Sequence, residues 1–421
     1  MRAMSSFQIF ILSAAFLQLI CQLILKGKNQ SKIKHLQPKP PAGITSIMDG
    51  ETWNKTSNYS VEKSRFSNFE EIFNFIVFLP IFLIFMPWYF QEFSTSIHVG
   101  VWESAFITCI FLFLLQIPQI PLDWYSQFVL EEKYGFNKST MKLWVTDKIK
   151  GVGIGLLLGC SLLSLLIFLY RECSIIFPDF WWVISFCVFF SIQLIMMVLW
   201  PKLILPLFNK LSPLEDGELK ERLAALAEKS GFHAKTIEVI DGSKRSGHSN
   251  AFFTGFGKFR RIVLYDTLIK QMEPEEIEAV LAHEVGHYIK GHIPKKLLIS
   301  FATGLCIFGL IAFALSSSWI YKSAQFPNEL HGSLCSVLVL LSLTLGYITY
   351  WFSPISNLLS RKHEYEADNF AKEIMGSHLP LVRALRKLYK ENLTYPLPHK
   401  WISAFHYSHP TIMERENALK S

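Results

Sequence analysis

The chain has 421 residues, of which 51% are hydrophobic, 14% aromatic and only 18% charged. That length and this shortage of charge exclude a single soluble domain, because a soluble protein must cover its surface with polar side chains. The formal net charge of +7 does not indicate a nucleic-acid partner, since the basic residues form no patch interleaved with aromatic residues. We therefore expect a membrane protein.

Apolar stretches long enough to cross about 30 Å of hydrocarbon as helices recur along the chain. The first is expected to be an uncleaved anchor, because it continues to Leu25 without a small-residue cleavage site and Lys26 follows directly. Prolines predict kinks or breaks near the ends of the third and fifth spans. The seven predicted transmembrane helices lie at residues 7–25, 71–90, 101–121, 152–170, 181–206, 297–320 and 334–354.

Seven spans place the loops after the first, third and fifth spans, together with the C-terminal tail, on one side of the membrane. Of the 41 Lys and Arg residues, only Arg2, Arg171 and Lys322 fall on the opposite side. Short flanking segments rich in Lys and Arg remain in the cytosol. The side that carries the long polar segments is therefore predicted to be cytosolic.

Two polar segments lie on that side. The first reads as a small α+β insertion, with a helix at 215–229, strands at 236–240, 250–256 and 261–265, and then a second helix. The tail is mainly helical. We divide the chain into five N-terminal spans with their loops, a catalytic insertion, two further spans and a C-terminal helical part of the catalytic domain, at residues 1–206, 207–295, 296–354 and 355–421.

The second helix of the insertion carries the motif His-Glu-Val-Gly-His at residues 283–287. Residues four apart share a helix face, so His283 and His287 can reach one metal ion, and Glu284 lies close enough to accept a proton from a metal-activated water. Gly286 weakens the helix by roughly 1 kcal/mol, which we expect a close approach of substrate or backbone to offset. The alternative is an ordinary solvated helix face.

A catalytic zinc site needs a third protein ligand and one open position. Glu364, directly after the seventh span, is the predicted third ligand, and Asp368 on the same helix face is predicted to hold a zinc-bound imidazole from behind. Glu366 and His363 compete as ligands by composition, and His292 is expected to be structural. With these parts the chain would hydrolyse peptide bonds, Glu284 acting as the general base.

The chain resembles the type-I CAAX prenyl proteases, a family of integral-membrane zinc proteases, along nearly its whole length. The resemblance implies a mainly α membrane protein whose seven helices enclose an intramembrane chamber, with a small α+β zinc-protease domain on the cytosolic side. Five segments in the family's order carry it: Glu-Glu-Lys-Tyr-Gly-Phe-Asn-Lys-Ser-Thr at 131–140, Ser-Asn-Ala-Phe at 249–252, the zinc motif through His292, Glu-Tyr-Glu-Ala-Asp at 364–368, and His-Tyr-Ser-His-Pro at 406–410.

The resemblance also implies roles that spacing alone cannot indicate. Asn250 matches the residue that holds the substrate backbone along an edge strand. His409 matches a histidine near the oxyanion, and Arg415 an arginine that supports the active site. Without the resemblance, each would be interpreted as structural. Phe252 and Phe253 stand where tyrosine is common in the family.

The implied activity is cleavage near the C-terminus of prenylated CAAX-type proteins or other membrane-associated peptides, with one zinc ion per chain. Two alternatives stay open: a membrane-protein quality-control protease without prenylated substrates, and a non-catalytic scaffold with structural zinc. We expect a monomer in contact with membrane lipid. Its location would be the endoplasmic reticulum or inner nuclear membrane of a eukaryote, or the cytoplasmic membrane of a bacterium.

Overall fold

The structure is a computed structural model that describes residues 4–98, 100–232, 236–254 and 261–421. Within that part of the chain, seven helical segments are long and apolar enough to cross a membrane. The predicted mainly helical architecture with seven spans is therefore confirmed. The segments are Ser6–Leu36, Gly50–Glu92, Val101–Tyr134, Met141–Ile176, Trp181–Phe208, His292–Ser316 and Leu334–Met375.

The first four segments and the seventh are clearly longer than the apolar runs that predicted them, because polar helical turns continue the helices. Pro80 stands inside the second segment and is followed by a π-helical stretch, Ile81–Phe85, which the sequence analysis did not foresee. A second π stretch, Ser126–Glu131, lies near the end of the third segment, beyond the predicted break at Pro118. The helices are α1 (Ser6–Leu36), α2 (Gly50–Pro80), α3 (Met86–Glu92), α4 (Val101–Leu114), α5 (Ile120–Tyr125), α6 (Glu132–Tyr134), α7 (Met141–Ile176), α8 (Trp181–Leu203) and α9 (Leu205–Phe208).

The insertion contains a small mixed sheet in the order β1-β2-β4-β3, so β3 lies at one edge of the described sheet. The pairs β1–β2 and β3–β4 are antiparallel, whereas β2 and β4 run parallel. β2 and β4 have the predicted bounds, β1 was not predicted, and residues 255 and 256 of the third predicted strand lie outside the described residues. The strands are β1 (Leu211–Pro213), β2 (Thr236–Ile240), β3 (Ala251–Thr254) and β4 (Arg261–Tyr265).

The remaining helices complete the insertion, the last two spans and the tail. The seventh membrane helix does not stop at residue 354, since α16 continues it with only a 3-10 turn, Tyr350–Phe352, between them. The metal-ligand candidate Glu364 therefore lies on the polar continuation of a candidate membrane helix. The helices are α10 (Glu218–Lys229), α11 (Asp266–Gln271), α12 (Pro274–Ile289), α13 (His292–Ser316), α14 (Ser318–Ser323), α15 (Leu334–Thr349), α16 (Ser353–Met375), α17 (Leu379–Glu391), α18 (Lys400–His406) and α19 (Ile412–Lys420).

Two large hydrophobic cores hold the molecule together. One is formed by the membrane helices and contains Phe82, Phe90 and Phe111, all fully buried. The other surrounds the sheet and α12, and it also includes Ile33 of α1 and Trp53 of α2. Burial of a large apolar side chain stabilises a fold by about 1.5–3 kcal/mol, so the polar ends of α1 and α2 are firmly attached to the insertion. The division into four domain segments stays a prediction.

Candidate metal centre

The two histidines of the motif lie on α12, whose N-terminus is well defined. Pro274 occupies the first turn, and Glu273 and Glu276 form a reciprocal capping box, with the Glu273 N–H donating to Glu276 Oε2 over 3.0 Å. Helical spacing then brings the rings of His283 and His287 to a centroid distance of 4.9 Å, with their planes nearly perpendicular. His283 is buried and His287 is half-buried. Both rings therefore belong to the interior face of α12.

α16 crosses α12 closely and brings Glu364 to the two rings. The Nε2 atoms of His283 and His287 lie 3.3 Å from Glu364 Oε2 and Oε1, respectively. One donor atom from each of the three residues lies within 4.8 Å of the others. Two segments that are separated by two membrane helices thus meet at a single point.

Gly286 explains how the two helices approach so closely. A Cβ atom at this position would lie 3.0 Å from both the Cα and the carbonyl oxygen of Ala367 on α16. Real side chains rarely tolerate such a distance to backbone atoms, which cannot move aside. The close approach of a neighbouring backbone that the sequence predicted at Gly286 is therefore present, and the neighbour is α16.

Asp368 lies one helical turn beyond Glu364 and contacts the outer side of His283. The Nδ1 of His283 is 2.8 Å from Asp368 Oδ1, and the buried Arg415 of α19 donates from Nε to Oδ2 of the same carboxylate over 2.8 Å. An aspartate in this position fixes the proton on Nδ1 and points the lone pair of Nε2 towards Glu364. Arg415 in turn fixes the carboxylate of Asp368.

His287 has a similar support that the sequence analysis missed. Its Nδ1 lies 2.8 Å from the Nδ1 of His292, and His292 Nε2 lies 2.8 Å from Glu366 Oε2. His292 was expected to be structural, and its place on the first turn of α13 was hidden by the break after α12. The available signal was the five-residue spacing between His287 and His292, which only a turn at Gly291 makes compatible with the site.

Glu366 and His363 do not compete with Glu364 for the central position. The Glu366 carboxylate contacts His292, and the ring of His363 stacks on the ring of His292 at 4.1 Å. The group of potential metal-holding residues found among the described residues is His283, His287 and Glu364.

The donor set fits a zinc ion. When the Nδ1 protons of His283 and His287 point to Asp368 and His292, each Nε2 atom presents a lone pair to an oxygen of the Glu364 carboxylate. Acceptor atoms that face each other in this way need a cation between them. Glu364 Oε2 is buried and has no hydrogen-bond partner among the described residues. Burial lowers the pKa of His283, but the neighbouring carboxylates of Asp368 and Glu364 outweigh it and raise that pKa to about 9. Two imidazoles and a carboxylate are the ligands of many catalytic zinc sites.

Glu284 lies beside the two rings on α12. Burial raises the pKa of its carboxyl group, and the neighbouring Glu364 adds to the effect, while the imidazoles oppose it. A carboxylate that is less acidic than usual is a better proton acceptor near neutral pH. Glu284 is therefore suited to accept a proton next to the two imidazoles.

His409 and Asn250 approach the centre from two further elements. His409 lies between α18 and α19, and its Nε2 is 3.4 Å from Glu364 Oε1 while its side chain stays 65% exposed. Asn250 is exposed and directly precedes edge strand β3, which packs against α12. The structure places Glu284 beside the two rings along α12 and Asn250 at the start of the adjacent edge strand. It brings the other predicted site residues into contact with the centre or with its supports: His283, His287, Glu364, Asp368, His409 and Arg415.

Comparison with known proteins gives matches over almost the entire chain. Residues 29–210 match the model of the CAAX prenyl protease N-terminal region with five membrane helices, and residues 213–421 match that of peptidase family M48. CAAX prenyl protease 1 of Saccharomyces cerevisiae is 36% identical over 408 residues, with 91% of this chain and 89% of the relative covered.

A human relative and a solved structure extend the similarity. The CAAX prenyl protease 1 homolog of Homo sapiens is 30% identical, with 94% of this chain and 91% of the relative covered. The crystal structure of S. mikatae Ste24p superimposes with a TM-score of 0.86 at 35% identity, and all of both chains is covered. The fold and the order of the elements are therefore shared.

Proposed function

Because this chain belongs to peptidase family M48 and to its CAAX prenyl protease branch, and is thus a multi-pass membrane metalloendopeptidase, we propose that it cleaves prenylated CAAX-type proteins near their C-termini. The observation that carries the proposal is the convergence of His283, His287 and Glu364 at one point. The Nε2 atom of each ring lies 3.3 Å from a carboxylate oxygen of Glu364. The relatives' names favour this substrate class over a quality-control protease or a scaffold.

Members of family M48 are in general zinc-dependent. We propose one zinc ion per chain, held by His283, His287 and Glu364, with Asp368 fixing the first imidazole. When bound, the ion would supply a Lewis acid that makes water acidic near neutral pH, with a pKa lowered from 15.7 towards about 7.

Glu284 then acts as the general base. It takes a proton from the attacking water and passes it to the leaving amine. Its raised pKa suits both steps, because the group can bind the proton and release it within one turnover. A glutamate whose carboxylate ligated the ion directly could not serve in this way.

We propose that His409 acts on the reacting carbonyl and that Arg415 supports the site from behind Asp368. The exposed ring of His409 can donate a hydrogen bond to the oxyanion, since it faces open space next to the Glu364 carboxylate. Arg415 is 7% exposed and bonded to Asp368, so its positive charge supports the site without reaching the substrate.

Asn250 is proposed to bind the peptide backbone of the substrate. Its own carbonyl accepts from the Tyr265 N–H over 3.1 Å, so one side of the strand pairs with β4. The other side of edge strand β3 is available to an extended peptide, which would add as a further strand next to α12.

The setting of the site suits a lipid-tethered peptide. Glu364 lies on a helix that is continuous with the seventh span, so the reacting groups are close to the membrane surface. We propose a monomer in contact with lipid, a catalytic part in the cytosol, and the endoplasmic reticulum or inner nuclear membrane as the location, in keeping with the eukaryotic relatives. The intramembrane chamber stays a prediction.

The proposal is tested with purified protein in liposomes and a farnesylated C-terminal peptide, whose products are identified by mass. Glu284→Gln should lower kcat by about 10²- to 10⁴-fold, and a zinc chelator should abolish cleavage. Glu275→Gln is the matched control, because Glu275 lies on the same helix but is half-exposed and pairs with Arg383. Cleavage that survives both the chelator and Glu284→Gln would rule out the metallopeptidase mechanism.

A further inference from the structure

The backbone just before the substrate strand is held by side chains at His248 and Ser249. The Thr267 hydroxyl donates to the His248 carbonyl over 3.0 Å. The Ser249 N–H donates to Asn392 Oδ1 over 3.1 Å, and the Asn392 amide donates back to the Ser249 carbonyl over 3.4 Å. A loop of ordinary surface residues would not need so many fixed contacts.

A second set of contacts comes from the membrane half of the chain. The segment at 131–140, which the resemblance singled out but the proposed reaction does not use, runs beside residues 245–247. The Lys138 N–H donates to the Arg245 carbonyl over 3.1 Å, and the Gly247 N–H donates to the Phe136 carbonyl over 2.9 Å. Arg245 also forms a two-point ion pair with Asp147 of α7, at 2.8 and 3.1 Å.

His248 lies where the two sets of contacts meet. Its ring stacks on Phe136 with a centroid distance of 4.0 Å. Its Nδ1 is 3.2 Å from Asn392 Oδ1, and its Nε2 is 3.4 Å from Glu131 Oε2. The other oxygen of Glu131 accepts from the Tyr59 hydroxyl over 2.7 Å.

The orientation of the Asn392 amide is set by its two contacts to Ser249, so Oδ1 is the atom that faces His248. Both ring nitrogens of His248 therefore face acceptor oxygens, one from Asn392 at the end of α17 and one from Glu131, so the ring is held from both sides.

We propose that His248, held between Glu131 and Asn392, is a positioning residue that sets the place of Asn250 and edge strand β3 for the incoming peptide. His248 is two residues before Asn250, and neither it nor Glu131 is among the residues at the metal centre. The inference rests on the proposed function, because it assigns the contact to peptide binding. It also gives segment 131–140 a role: this segment ties the membrane half to the peptide-binding strand.

The test compares kcat, KM and zinc content for His248→Ala, Glu131→Ala and the double variant on the farnesylated peptide. Each single variant should raise KM about tenfold, with kcat within about twofold and one zinc ion retained, since the loss falls on substrate binding and not on the reaction. The double variant should be no worse than either single one. Glu131→Gln keeps an oxygen for His248, so its KM should lie much closer to that of the unaltered protein than the KM of Glu131→Ala does. His35→Ala, an exposed histidine at the end of α1, is the control.

Asn392→Asp provides a second route if the alanine variants do not fold. The aspartate has the same shape as asparagine and still accepts from the Ser249 N–H and from His248. Its second oxygen, however, repels the Ser249 carbonyl, so KM should rise while the fold and the zinc content are retained. An unchanged KM in this variant, or additive effects of the Glu131 and His248 changes, would overturn the inference. If Glu284→Gln instead cleaves normally, the proposed function itself fails, whatever the KM values are.

Discussion

At the scale of residues, the centre is defined by what holds the back of each imidazole. His283 is supported by Asp368 and Arg415, and His287 by His292 and Glu366. Each chain of contacts contains a carboxylate of α16, which increases the basicity of the ring and fixes its rotation. The two supports come from opposite faces of α16, so one helix orients both rings.

The support behind His287 gives a specific prediction. Glu366→Ala should leave His292 without its partner and lower the affinity for zinc by about 10- to 100-fold, measured by competition with a chelator of known affinity. Glu373→Ala is the control, because Glu373 is an exposed residue on the same helix. Equal zinc affinities for the two variants would show that the contacts through His292 and Glu366 do not orient His287.

At the scale of elements, the site depends on the crossing of α12 and α16. Gly286 allows that crossing, and the loop between α12 and α13 turns at Gly291, where φ is +68°. The turn places His292 behind His287, although the two residues belong to different helices. The closeness of these helices, not the length of any side chain, therefore decides whether Glu364 reaches the imidazoles.

Gly286→Ala tests the crossing. The alanine gains about 1 kcal/mol of helix propensity, but overpacking against Ala367 should cost about 1–3 kcal/mol and push α16 away. We expect a lower melting temperature together with weaker zinc binding. Gly151→Ala on α7 is the control, since a Cβ there meets nothing within 4 Å. If Gly286→Ala bound zinc normally, the close crossing would not be required for the site.

At the scale of the whole molecule, the two family regions form one unit. Ile33 and Trp53 from the first two helices are buried in the core that surrounds the sheet, and the ion pair Arg245–Asp147 joins the insertion to α7. The reacting groups therefore have a fixed position relative to the membrane helices. This is the physical requirement for cleaving a substrate whose prenyl chain remains in the bilayer.

The orientation of the molecule is testable with single cysteines in a background that lacks the seven natural ones. Glu215→Cys, in the insertion, should react with a membrane-impermeant maleimide from outside sealed microsomes. Asp179→Cys, in the exposed turn between α7 and α8, should react only after permeabilisation. The distribution of Lys and Arg underlies this expectation, and the reverse labelling pattern would contradict it.

Much of this protein could be predicted without coordinates. The seven spans follow from runs of apolar residues, since the hydrocarbon core leaves few alternatives to a helix. The bounds of β2 and β4 follow from short β-branched runs, and the pairing of His283 with His287 follows from helical periodicity. These are local signals, so a single stretch of sequence contains them completely.

What the sequence determined by itself was the membrane architecture, the two histidines of α12 and the choice of Glu364 as their partner. The tertiary structure decided the distances between α12 and α16, the support of His287 by His292 and Glu366, and the contact of segment 131–140 with His248. Those contacts join residues that are distant in the chain, or that are near in the chain but separated by a turn. No local periodicity reports such contacts, because they depend on how whole helices pack.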